Sequence, residues 1–160
     1  MKKQVFQLSF ILTFFLLLGC GGGDDPEPQK SAEEIAIEEL TGDGSQTWVV
    51  AGGGMVTHNG QTVTSDYADF EMTFTASGSN QSYLTLNNHL LFDDSGSWDF
   101  SGSNYDQIVL SGAQPAAGQI ISFSTIGSNL RLEFNVPQPS IAGGRIMALA
   151  GDYVFDLKKK

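Results

Sequence analysis

The feature that most constrains this chain is an alternation of apolar and polar residues with a period of two, running from about Gln46 to the end. Phe70, Met72 and Phe74 alternate with Glu71, Thr73 and Thr75, and Ile121 and Phe123 with Ser122 and Ser124. Leu130, Leu132, Phe134 and Val136 alternate with Arg131, Glu133 and Asn135, and Tyr153, Phe155 and Leu157 with Val154, Asp156 and Lys158. Successive side chains of a strand point to opposite faces, so each run describes a strand with one buried and one wetted face. Turn formers separate the runs: Asn59-Gly60, Ser77-Gly78-Ser79-Asn80, Asp93-Asp94-Ser95-Gly96, Ser101-Gly102-Ser103-Asn104 and Gly127-Ser128-Asn129. The spacing gives roughly eight or nine strands joined mostly by hairpins. No run of helical length falls between them, which disfavours a parallel sheet with crossover helices. The expected fold is all-β, an antiparallel meander closed as a barrel or flattened toward a sandwich.

One helix is expected ahead of the strands. Ser31-Ala32-Glu33-Glu34 fits a capping box, with Ser31 as N-cap and Glu34 reaching back to it. Acids early in a helix complement its dipole. Ile35, Ile37 and Leu40 supply a weak apolar face, and Gly42 is a stop signal. The pattern predicts a helix over 32–40.

The first residues carry a different message. Lys2 and Lys3 precede an apolar run from Phe10 to Leu18. That run is far shorter than the roughly 20 residues needed to span a bilayer, and its flanks describe a secretory signal peptide. Its ending, Leu17-Leu18-Gly19-Cys20, resembles the lipobox of bacterial lipoproteins. The resemblance implies that the Cys20 thiol is joined to diacylglycerol, that the peptide is cut before it, and that the new amino group is acylated. Cys20 is the only cysteine, so no internal disulfide can form. Several acyl chains, at about 0.8 kcal/mol per buried CH₂, anchor a protein stably. Cys20 therefore reads as a lipidation site and the membrane as a partner through that anchor.

Residues 21–30, GGGDDPEPQK, lack large apolar groups and read as a flexible acidic tether. Gly21 stands where Asp marks inner-membrane retention in lipoproteins of Gram-negative bacteria, so the resemblance implies the outer membrane. Asp24, Asp25 and Glu27 resemble signals for export to the cell surface, and a plain solvated linker accounts for them equally well. The expected organisation is a signal peptide over 1–19, a tether over 20–30 and a β-domain with its leading helix over 31–160.

Charge and motif content narrow the function. The chain carries a net charge of −10 and only two arginines, Arg131 and Arg145, which disfavours nucleic acid as a partner. No nucleophile motif is present, and His58 and His89 each sit beside turn residues, so the chain is not expected to be an enzyme. Gly52-Gly53-Gly54 lacks the lysine of a phosphate loop and reads as a strand bulge or barrel corner. Asp93, Asp94 and Asp99 miss the spacing of a calcium loop, and a turn explains them. Neither a metal nor a cofactor is expected.

The aromatic residues are the remaining candidates. Phe70, Phe74, Phe100, Phe123, Phe134 and Phe155 fall on inward positions. An eight-stranded barrel is just wide enough to be filled by side chains or to hold one small ligand. A ligand inside it would meet Trp48, Phe74, Phe100, Phe123 and Phe134.

The lipobox, acidic spacer and short helix, with Leu40-Thr41-Gly42, Trp48, Ser95-Gly96-Ser97-Trp98-Asp99-Phe100 and Leu149-Ala150-Gly151-Asp152-Tyr153-Val154-Phe155-Asp156-Leu157, together resemble the lipocalin-like lipoproteins of unknown function of Gram-negative bacteria. The resemblance covers about residues 31–158. It implies a calycin-type barrel that binds a small apolar or amphipathic ligand; the alternative is a solid-cored surface module for a glycan or protein partner. Lipocalins place Gly-x-Trp in the first strand, whereas here Gly42 and Gly44 lie six and four residues before Trp48. An arginine usually stacks on that tryptophan, and Arg145 is the loosely matching residue, giving Trp48 and Arg145 as a structural pair.

Overall fold

The structure, a computed structural model, describes residues 29–138 and 149–160. The signal segment, Cys20 and Arg145 lie outside the described residues.

The chain enters through α1 (Ala32–Thr41), capped as the sequence requires. The Ser31 hydroxyl accepts the Glu34 amide, and the Glu34 carboxylate accepts the Ser31 amide at 2.7 Å. Gly42, at φ +56°, ends the helix by donating its amide to Glu38 O. Among the described residues ten strands follow: β1 (Ser45–Val49), β2 (Met55–His58), β3 (Gln61–Thr62), β4 (Glu71–Ser77), β5 (Asn80–Leu86), β6 (Ser95–Phe100), β7 (Gln107–Leu110), β8 (Ile120–Ile126), β9 (Asn129–Val136) and β10 (Gly151–Lys159). A 3₁₀ turn, Thr64–Tyr67, links β3 to β4.

From β4 to β10 each strand pairs with the next, and β1 pairs antiparallel with both β4 and β10. Eight strands thus close into an up-and-down antiparallel barrel, with the β2–β3 hairpin as an addition on β10. This is the all-β fold expected from the alternation, consistent with a lipocalin-like barrel. The extra strands have a local cause. Val49 pairs with Lys158 and Met55 with Asp156, so residues 50–54 loop out opposite Leu157 alone. Gly52 and Gly53 take φ of +81° and +104°, and the Gly54 amide donates back to Val50 O at 2.8 Å. A Cβ on Gly54 would lie 2.7 Å from the carbonyls of Val50 and Asp156. The triple glycine therefore splits one edge into β1 and β2, as a bulge at a barrel corner does.

Other turns follow their residues. Asn59 and Gly60, at φ +51° and +75°, form the two-residue primed turn between β2 and β3. Gly78 and Gly127, both at positive φ, open the two-residue turns β4–β5 and β8–β9. Inward residues of every barrel strand join one apolar cluster with Ala36 and Leu40 of α1. The outer wall of β9 and β10 is ionic, with Arg131 paired to Glu133 and Asp156.

The barrel has two different ends. At one lie α1, the β4–β5 and β8–β9 turns and the β6–β7 loop. At the other lie the 3₁₀ turn, the β5–β6 loop and the β7–β8 loop.

Candidate functional site

The inward aromatics divide into two groups. Phe74 meets Trp98 edge-on at 6.0 Å between ring centroids, and Trp98 meets Phe100 at 5.4 Å. Phe100 in turn touches Tyr105 and Phe123, which carries the chain of rings from the centre to the helix end. Phe134 belongs to the other end, against Phe92, Tyr153 and Phe155. Trp48 is 2% exposed and donates its indole N–H to Leu40 O at 2.9 Å, which pins β1 to α1. The five residues proposed to meet a ligand are therefore not gathered around one space. Phe70, Phe74, Trp98 and Phe155 are 0% exposed, so no water-sized void touches them and the middle of the barrel is filled. Trp98 Nε1 has no hydrogen-bond partner among the described residues; its neighbours Phe74 and Phe100 both stand edge-to-face with its ring.

Among the described residues, two loops cover the other end. Leu91 and Phe92 of the β5–β6 loop and Ala116 of the β7–β8 loop are buried across it. The Asp93 carboxylate accepts the amides of Ala113 and Gln114 at 2.9 Å, tying one loop to the other. Gly112 at φ +143° is essential there, since a Cβ would sit 2.0 Å from Asp93 Oδ2. Asp93 thus aims at backbone donors, and Asp94 accepts from the Asn88 side-chain amide at 2.8 Å. His58 stacks on Tyr153 at 4.3 Å and hydrogen-bonds Ala150 O through Nε2 at 2.9 Å, while His89 tilts against Tyr67 at 5.0 Å. His58 ends β2 beside the Asn59-Gly60 turn and His89 lies in the β5–β6 loop, but local spacing could not show that their rings reach Tyr153 and Tyr67. The Tyr67 hydroxyl faces that of Tyr153, and burial pushes both phenols above their ordinary range. Among the described residues, no group of three or more His, Cys, Asp or Glu side chains could hold a metal ion.

The helix end is open on its flanks. A straight helix laid across a curved rim contacts it along one line, and here that line is Ala36, Leu40 and Thr41. Ile35 is left 46% exposed. Between α1, the β6–β7 loop and β8 runs a cleft of about 370 Å³, lined by Ile35, Ala36, Glu39, Tyr105, Asp106 and Phe123 among others. Tyr105 holds φ +57°, a left-handed conformation unusual for an aromatic residue, and its ring stands edge-on to Phe100 at 5.2 Å. The Phe123 amide donates to Asp106 O at 2.9 Å, tying the β6–β7 loop to β8. A second cleft of about 360 Å³ lies on the opposite flank, where Lys30 pairs with Glu38. Sequence reasoning singled out Phe123 and Phe100 and placed Ile35 on the helix. It missed Tyr105, Glu39 and Asp106, which sit on a loop and a helix flank with no periodic signal. No family model, curated protein or solved structure matches the chain.

Proposed function

We propose that the chain is a lipid-anchored lipoprotein of the bacterial envelope, acylated at Cys20, whose lipocalin-like barrel holds a small apolar or amphipathic ligand at its helix-covered mouth. The observation that carries the binding reading is the cleft beneath α1. Its volume of about 370 Å³ falls in the range of small-molecule sites, and it offers Ile35, Tyr105 and Phe123 to an apolar body. The filled middle of the barrel supports a ligand at the mouth rather than a deep calyx. The anchor rests on Leu17-Leu18-Gly19-Cys20 and the outer-membrane placement on Gly21.

Two experiments test the reading. Cys20→Ser releases the protein from membranes into the soluble fraction; a variant that still sediments with the envelope sinks the anchor. Residues 21–160 contain every element of the closed barrel, so they serve for binding. An apolar fluorescent probe titrated into them saturates near one per chain and perturbs Trp98 emission through Phe100. A folded sample that shows no saturable binding removes the ligand reading. It would favour the second one, a surface module for a glycan or protein, to which the outer wall of β4 and β5 lends an observation. There Leu84 and Leu86 are 49% and 51% exposed beside the hydroxyls of Thr73, Thr75 and Ser82.

A further inference from the structure

We infer that the ligand of the α1 cleft is a cationic amphiphile, an organic ammonium on an apolar body; this rests on the ligand-binding reading above and names its chemical class. The apolar floor comes from Ile35 and Phe123, and the charged groups in the lining are both carboxylates, Glu39 and Asp106. Among the described residues neither carboxylate takes a salt bridge, whereas Glu38, on the opposite flank, is paired with Lys30. The two flanks of one helix thus differ: the opposite one carries Lys30 against Glu34 and Glu38, whereas this one carries Glu39 and Asp106 with no base in the lining. Aromatic faces add to the same preference. A ring presents negative potential above its plane, and cations placed there gain about 0.5–1 kcal/mol at exposed sites. Phe123 and Tyr105 stand in the lining with Phe100 behind them, and the hydrogen bond from the Phe123 amide to Asp106 O ties the two main chains together at the cleft. A chain of net charge −10 repels an anionic amphiphile at the same place.

The test uses residues 21–160 and three probes with the same twelve-carbon chain, each below its micelle concentration: dodecyltrimethylammonium, dodecyl maltoside and dodecyl sulfate. Binding is read by calorimetry and by tryptophan emission. The ammonium probe should bind about tenfold tighter than the neutral one, the sum expected from two exposed carboxylates and a ring. The advantage should shrink as salt rises. In the Glu39→Gln, Asp106→Asn double variant it should fall to the about two- to fivefold that the ring alone supplies, while maltoside affinity stays unchanged. Equal affinity for the ammonium and maltoside probes overturns the cationic class and leaves the ligand reading standing. An advantage that survives undiminished in the double variant assigns it to the overall charge and overturns the site. Absence of saturable binding by all three probes removes the ligand reading itself and the inference with it.

Discussion

The two ends of the barrel are closed by different means, and the contrast locates the candidate site. Loops close one end. They follow the curved rim, drop Leu91, Phe92 and Ala116 into it, and are held by Asp93 across the gap. A helix closes the other. It is stiff, so it seals along Ala36, Leu40 and Thr41 and leaves a cleft on each flank. Among the described residues, both clefts lie beside the rigid rod.

The largest expected effect falls at the loop-covered end. Phe155 touches Tyr67, Phe70, Phe92, Phe134 and Tyr153, with no exposed surface. Phe155→Ala should cost about 3–5 kcal/mol in denaturant unfolding, as large cavities in packed cores do. Phe100, only half-buried at the open end, should lose clearly less on the same change; equal losses would mean that the two ends are packed alike.

Next comes the latch. Asp93→Ala removes a charged acceptor from two backbone amides and should cost about 1.5–3 kcal/mol. Amide exchange should rise at Ala113 and Gln114 but not in α1. Protection unchanged at those amides would show that the loop is held by its apolar contacts alone.

The helix end should respond less. Ser31→Ala removes the N-cap acceptor and should cost about 1 kcal/mol. Its effect should be confined to exchange in the first turn of α1 and to the cleft, where probe affinity should weaken. A global loss of cooperativity would show that α1 is part of the barrel's folding unit.

Opposite pH extremes should separate the ends further. Burial raises the phenols of Tyr67 and Tyr153 above the ordinary value of 10, and raises Tyr83, whose hydroxyl donates to Ser111 O, to about 12. Raised folded values mean that this stability is complete below about pH 10 and is lost as pH climbs through the folded values. Tm should therefore fall from about pH 10 upward, with tyrosinate absorbance appearing together with unfolding. Glu34 moves the other way. Its hydrogen bonds with Ser31 hold its carboxyl below the ordinary 4.5, so that contribution is present above 4.5 and lost as pH falls below it. Acid should loosen α1 slightly, and Ser31→Ala should blunt that response; an identical acid response in wild type and variant would remove the capping box as its cause.

Much of the barrel was legible in the chain because the signals were local. Leu130 to Val136 and Tyr153 to Leu157 bury alternate residues as their pattern requires, and the capping residues of α1 act within one turn. The strand count was less legible. A run of glycines announces a bulge, but whether it divides an edge in two depends on the partner strand, here β10. The site was least legible. Phe123 carries a strand signal, but Tyr105, Glu39 and Asp106 carry none, and they meet only because α1 lies over the β6–β7 loop.

The sequence by itself determined which residues turn inward, where most turns fall and how the helix starts and stops, because period, capping and turn chemistry act between near neighbours. Tertiary structure alone decided that β1 closes on both β4 and β10, that the middle of the barrel is filled, and that open space remains beside the helix. Those outcomes depend on strand pairing across more than a hundred residues and on how side-chain volumes fit a closed wall, quantities that no local pattern encodes.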